Sequence, residues 1–460
     1  MFTSTTPRRR WTALAGAAAS AVLLLGTAAC SGSDEDKGTT AEVKSYDKSV
    51  AGVVEAATAF LATLDADQTA EAQLDFTQET AVSWSNLPCG SSCRPGVRFG
   101  DLNESQLAAA KSVLLTAFGT GEGSGYDQMM QILKADTYLN SVQASGTGGG
   151  PGAGGVSGAP GGGQAPGGAS GAPGGGQAPG GALPSGGPDG GGFPGGGASG
   201  APDGGGFPGG GASGGPGGGG QAPGGAGASG GPGGGGNGGA GGYSGDTYFI
   251  AFLGTPSTTG TWQLNFGGHH LATHLTYKAG QVTGASPFFI GVEPTTWTED
   301  GTTYAPLEGM HSAMLAMTSG LSADEQAAAK LSESFSDVLV GPQEDGQFPA
   351  TKEGLQVSKL TDDQKKLVLA AIKPWVANAD DATATSLMST YESELDDTYI
   401  GWSGTTSLTN HADYVRIDGP SVWIEFVCQN GVVLSNQIHY HTVYRDHTRD
   451  YGGEFTFAAK

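Results

Sequence analysis

The residues best suited to chemistry are histidines, and they gather in two runs: Gly267-Gly268-His269-His270-Leu271-Ala272-Thr273-His274 and His439-Tyr440-His441. All eight histidines of the chain lie after a long glycine-rich tract. Alternate side chains of a strand share a face, so His439 and His441 point the same way, at a spacing that lets two imidazoles grip one metal ion. The rings of His269 and His270 diverge in an extended chain, so one of them is expected to face the same site. His274 joins only if the chain from His270 coils as a helical turn. Neutral imidazoles suit zinc or copper. Glu425, within Trp423-Ile424-Glu425-Phe426, and Glu293 are the carboxylates expected as fourth ligand or general base. The plainer alternative is that His439 and His441 hydrogen-bond across a sheet and that Glu425 sits on a wet strand face. His411 and His447 read as surface residues, and Arg445-Asp446 and Arg449-Asp450 as ion pairs holding the terminal loop.

The elements that must position these groups are legible from periodicity. Val50, Val53, Val54, Ala57, Phe60, Leu61 and Leu64 recur at helical spacing. Leu102-Asn103-Glu104-Ser105-Gln106 offers a capping box that opens a helix through Val113, Leu114 and Phe118, and Tyr126 to Val142 is a further helix. Similar boxes begin at Ser322 and Thr361, each after a leucine, which hints at a recurring helical element. Met310 to Met317 and Ala382 to Leu395 complete the helices. Strands are expected at Tyr248 to Leu253, Trp262 to Phe266, Tyr414 to Ile417, Val422 to Val427 and Ile438 to Tyr444, with a hairpin of Leu271 to Tyr277 and Gln281 to Thr283 about Ala279-Gly280. Pro287 to Pro294 reads as a buried connection.

Composition narrows the setting. With 44 acidic against 21 basic residues the formal charge is -23, which repels nucleic-acid phosphates and excludes nucleic acid as a partner. Arg8-Arg9-Arg10 followed by the apolar run Thr12 to Gly26 is a signal peptide over residues 1–29, too short for a good membrane span. Leu25-Gly26-Thr27-Ala28-Ala29-Cys30 resembles a lipobox, with Thr27 where Leu is usual. Cys30 is then the lipidated residue, residues 30–41 a tether, and the outer face of the cell membrane the location. An ordinary cleaved signal or a twin-arginine export signal is the alternative. In an oxidising compartment Cys89 and Cys93, within Pro88-Cys89-Gly90-Ser91-Ser92-Cys93-Arg94-Pro95, favour a small disulfide loop over a thiolate metal site. Cys428 reads as a buried free thiol. The 85 glycines concentrate in residues 146–242. Runs such as Gly217 to Gly220 break the collagen register, so a disordered insertion spanning on the order of 50 Å is expected.

Several motifs together resemble the family called domain of unknown function 3500. They are Arg94-Pro95-Gly96-Val97 with Asp101-Leu102 and Gln106; Trp262 with Phe266 to Leu271; Pro287 with Gly291 and Pro294; and Asn436 to Asp446 with Asp450-Tyr451-Gly452. The resemblance implies that the His-His and His-x-His motifs belong to one pattern and that the flanks of the tract form one domain. It brings no established activity, and His274 stands where that family is expected to carry Asn.

The sequence thus predicts one α+β domain from residues 42–145 and 243–460, its mainly antiparallel sheet carrying the histidines and helices packed on one side. The functional expectation is an exported, lipid-anchored, metal-dependent enzyme, zinc-hydrolytic or copper/iron redox, acting on a small-molecule or cell-surface substrate. The alternatives are a non-catalytic lipoprotein that binds a metal or small ligand, and a wall-associated structural protein. Cys30→Ser is expected to release the protein from membranes on fractionation; unchanged membrane association would sink the anchor.

Overall fold

The computed structural model describes residues 41–145 and 243–458. The expected signal peptide, Cys30 and its tether up to Thr40, and the glycine tract at 146–242 lie outside the described residues. The described segments on either side of the tract fall in one compact unit.

That unit is α+β. Next to a short parallel edge strand, Gln73–Leu74, its sheet runs through strands Phe249–Leu253, Thr261–Gly267, Leu271–Lys278 and Phe288–Val292. It continues through Ile438–Asp446, Val422–Asn430, Tyr414–Asp418 and Tyr399–Ser403. All neighbours in this series are antiparallel. Two meanders therefore meet back to back where strand 288–292 pairs with strand 438–446, with Gly291 opposite His441. The 271–278 and 281–284 strands form the expected hairpin, and Ala279 and Gly280 both take the positive φ that a tight two-residue turn requires.

The two halves follow one plan. Gly96 sits at φ +114° against the carbonyl of Ile250, and Gly354 at φ +99° against that of Ile400, each too close for a Cβ. Val97 and Leu355 then pair with those same isoleucines. A short 3-10 turn follows in each half, and then a boxed helix, Glu104–Ala117 or Asp362–Val376. The ends of these helices meet, Gly119 N–H donating to Asn378 at 3.0 Å. Two of the three similar capping boxes thus mark a structural repeat; the third opens the short helix Ala323–Ala329.

Side chains alternate between two environments. Leu271, Leu275, Ile290, Ile424, Phe426 and Tyr444 share the main core with the long helices, through residues such as Phe60, Val113, Ile132, Met310, Val368 and Tyr391. This is the single-sided helix packing the sequence predicts. The opposite face is closed by irregular chain. Trp84 packs on Ala272, Phe289 and Val443, and Leu331 and Phe335 pack on Tyr414 and Val427. Among the described residues no helix is long and apolar enough to cross a membrane.

The expected connection Pro287 to Pro294 is a strand over Phe288–Val292, buried on both faces and so without alternation. Strand Tyr399–Ser403 was not foreseen: Gly401 interrupts its pattern, and Leu331 fills the space a side chain there would take. Cys89 and Cys93 are disulfide-bonded, with Cα atoms 6.0 Å apart, and Cys428 is a buried free thiol whose pKa burial pushes up to about 12. The ion pairs of the terminal loop are crossed relative to the sequence reading: Arg445 binds Asp450 and Asp345, each at 2.6 Å, while Arg449 binds Asp446 at 3.2 Å. Adjacent strand residues point to opposite faces, so Arg445 and Asp446 cannot pair with each other.

Glu425 holds the irregular cover in place. Fully buried, its carboxylate accepts from the backbone N–H of Leu339 (2.6 Å) and Val340 (2.8 Å), from Tyr414 Oη (2.8 Å) and from Trp423 Nε1 (2.8 Å). Four donors occupy the lone-pair positions a carboxylate offers. Glu425→Ala leaves them without an acceptor in a dry site and is expected to cost about 3–5 kcal/mol in denaturant melts. A loss under about 1 kcal/mol would show that other contacts hold the cover.

Candidate metal centre

The site begins on helix Gly125–Ala144, whose buried side carries Met129, Ile132, Leu133 and Leu139, and among them Asp136. A buried carboxylate needs partners. Asp136 has two: Tyr248 Oη donates to Oδ2 at 2.7 Å, and Nδ1 of His270 lies 2.6 Å from Oδ1. Burial raises the Asp136 carboxyl to about 6, against the opposing pull of His269, Tyr248 and Arg94. Burial likewise holds His270 well below the ordinary imidazole value, aided by the charges of His441 and Arg94. A neutral His270 therefore donates from Nδ1 to Asp136 and presents the Nε2 lone pair. That Nε2 is buried and has no hydrogen-bond partner.

His439 and His441 share one face of strand Ile438–Asp446, as the two-residue period demands. Their Nε2 atoms are 3.3 Å apart. Nδ1 of His441 lies 3.0 Å from Oδ1 of Asp337, on the irregular cover that Glu425 anchors. Burial drives the His439 imidazole down to about 2, with the nearby His441 and His270 adding to the effect. Ligand atoms of His270, His439 and His441 all lie within 4.8 Å of one another, and all three residues are buried.

Gly291 makes this convergence possible. A Cβ there would stand 2.8 Å from Cδ2 of His441 and 3.0 Å from Cδ2 of His270. Its backbone N–H also donates to the carbonyl of His270 at 2.8 Å, fixing the loop that carries the ring.

The remaining candidates take other places. His269 meets His270 and Tyr243 edge to face, with ring centroids 4.1 and 4.7 Å away, and stands outside the converging group. Glu293 follows strand 288–292 and lies near enough for the charge of His441 to bear on it, although burial still raises its pKa. Its Oε1 accepts from Val433 N–H (2.9 Å) and Leu434 N–H (2.7 Å), pinning the loop between strands 422–430 and 438–446. Glu425 is absent from the converging group, its oxygens engaged as described. His274 places Nδ1 2.7 Å from the Pro287 carbonyl, with its ring against Trp84 and Tyr451. Asp136 and Asp337 were missed from sequence. Asp136 could have been found as a carboxylate at i+4 from Ile132 on an apolar helix face, whereas Asp337 stands in chain without periodicity.

The arrangement fits a transition metal. Two nitrogens bound at about 2.0–2.1 Å in tetrahedral geometry stand about 3.3 Å apart, the separation of the His439 and His441 Nε2 atoms. Two of the three imidazoles have their other nitrogen on a carboxylate, the support usual for ligating histidines. Together these features define an α+β protein with a buried three-histidine group that could hold a metal ion. The chain belongs to the family described as Protein of unknown function (DUF3500), which matches residues 46–453. No curated protein matches the chain, and no solved structure does.

Asp136→Asn removes the charged acceptor that sets the His270 tautomer. It is expected to lower affinity for zinc or copper about 10–100-fold in chelator competition. Unchanged affinity would mean that Asp136 supports the fold alone.

Proposed function

We propose that this is an exported, lipid-anchored, metal-dependent enzyme whose metal is held by His270, His439 and His441. The observation that carries the reading is the convergence of three buried imidazoles, two of them braced by Asp136 and Asp337. Among the described residues that group contains no fourth protein ligand. Three ligands with a position left open are the pattern of catalytic sites, whereas storage and structural sites close with four.

A bound metal would supply Lewis acidity and lower the pKa of coordinated water. Zinc hydrolysis is the favoured chemistry, because the group is all nitrogen and lacks the sulfur ligand of blue-copper sites. A copper or iron redox enzyme is the variant within the same reading. The chain's own residues have separable tasks. Asp136 keeps the Nε2 lone pair of His270 aimed at the centre, and Asp337 does so for His441. Glu293, on which the charge of His441 bears, is the carboxylate assigned to take a proton, and it also holds the loop at Val433 and Leu434. Asp337, the partner of His441, is half exposed and borders a depression of about 240 Å³ lined also by Asn86, Leu87 and Val338, the side from which we infer that substrate approaches. The sequence pattern of residues 1–29 and Cys30 supports a location for this chemistry at the outer face of the membrane. The second reading, a non-catalytic lipoprotein that binds a metal or small ligand, draws on the deep burial of all three imidazoles.

Elemental analysis of the purified protein is expected to find about one transition-metal ion per chain, lost in the His439→Ala, His441→Ala double variant. Wild type without metal under metal-replete conditions ends the proposal. In the cobalt-substituted protein, a shift of the visible spectrum on adding azide would reveal the open position. A spectrum that azide leaves unmoved would favour the non-catalytic binder.

A further inference from the structure

The Cys89–Cys93 disulfide has an unusual neighbour. Arg94 is only 7% exposed; the charge of buried Asp136 bears on it, but among the described residues no carboxylate forms an ion pair with its guanidinium. Nη2 donates to the carbonyls of Ser85 (2.8 Å) and Leu87 (2.5 Å). Nη1 reaches the two sulfurs, Cys93 Sγ at 3.4 Å and Cys89 Sγ at 3.7 Å, and Nε has no partner. Divalent sulfur is a weak acceptor, so the oxidised pair does little for this charge. A thiolate in the same place would form a charge-assisted pair with it. Burial pulls the Arg94 guanidinium down to about 10, against the opposing pull of Tyr248 and Asp136. The site is therefore more complementary to reduced cysteines than to the disulfide. It is also reachable: both cysteines are only partly buried, and Leu87, Pro88, Ser91 and Ser92 around them are exposed.

We propose that Cys89–Cys93 is a thiol–disulfide exchange site, with Arg94 stabilising its reduced form and a dithiol as its reaction partner. A thiolate of the dithiol attacks Cys89 Sγ; the S–S bond breaks, and its electron pair leaves on Cys93 Sγ beside the nearer guanidinium contact. The partner's second thiolate then attacks the mixed disulfide, releasing Cys89, which takes a proton from solvent. The dithiol, having lost two electrons, becomes a disulfide, and the protein gains one thiol and one thiolate.

The test is anaerobic equilibration of the full-length protein with reduced and oxidised dithiothreitol, followed by alkylation and mass mapping of the 89–93 segment. Wild type is expected to equilibrate under native conditions. Arg94→Met should move the equilibrium about tenfold toward the disulfide, about 30 mV. Rates of iodoacetamide alkylation against pH in reduced wild type should give Cys93 an apparent pKa below about 7.5, rather than the ordinary value of about 8.5. A native disulfide that resists excess dithiothreitol, or an unchanged equilibrium in folded Arg94→Met, overturns the proposal. If Arg94→Met fails to fold, the wild-type alkylation profile decides, and an ordinary thiol pKa overturns it.

Discussion

The contact between Asp136 and His270 is the constraint on which the rest of the site depends. Both groups are almost wholly removed from water, and they come from opposite sides of the glycine-rich tract. An isolated ionised carboxylate could not stay in such a place; it persists because Tyr248 and His270 donate to it. The helix that carries Asp136 must therefore dock on the sheet before the carboxylate is satisfied. The loop that carries His270 must in turn lie against Gly291. One hydrogen bond thus links helix packing, sheet register and the orientation of a ligand atom.

The site sits where two similar halves join, and among the described residues it occurs once. Register makes the comparison exact in kind: Ile250, Phe266 and Thr273 lie side by side in the first half as Ile400, Ile417 and Ile424 do in the second. The next residues, His274 and Glu425, are thus counterparts. Each is a buried polar group used to fix neighbouring chain, His274 through the Pro287 carbonyl and Glu425 through Leu339 and Val340. The counterpart of His270 in this register is Ser421, which hydrogen-bonds to Glu394 instead. The histidine group draws His270 from the first half and His439 and His441 from the second, so it belongs to the seam between the meanders.

Much of this was legible in the sequence, for identifiable reasons. The two-residue period of a strand put His439 and His441 on one face, and the structure keeps them there. Capping boxes at Asn103, Ser322 and Thr361 fixed helix starts because their side-chain bonds are local. What failed depended on partners distant in sequence. Glu425 looks like a half-wet strand carboxylate until the 331–350 segment crosses it. The choice between His269 and His270 turned on Asp136, more than a hundred residues earlier. Gly291 stood within the family-like motif, but its role became visible only when His270 and His441 closed on either side of it.

The energetics of the group favour a cation at its centre. His441 commits the hydrogen on Nδ1 to Asp337, so its Nε2 is a lone pair facing His439 Nε2 across 3.3 Å, a contact that either the Nε2–H of a neutral His439 or a cation between the rings would satisfy. A proton shared there serves two nitrogens and leaves His270 Nε2 without a partner, at a cost of about 1–3 kcal/mol for an unpaired buried acceptor. A cation at the focus serves all three at once. The low pKa of His439 resists a second proton, since burial disfavours a charged imidazole that has no counter-ion beside it. The same argument favours neutral imidazoles, which is the protonation state a metal requires. Asp136 and Asp337 complete the electrostatics from outside: their negative charges sit behind the rings, where they favour a cation at the centre without occupying it.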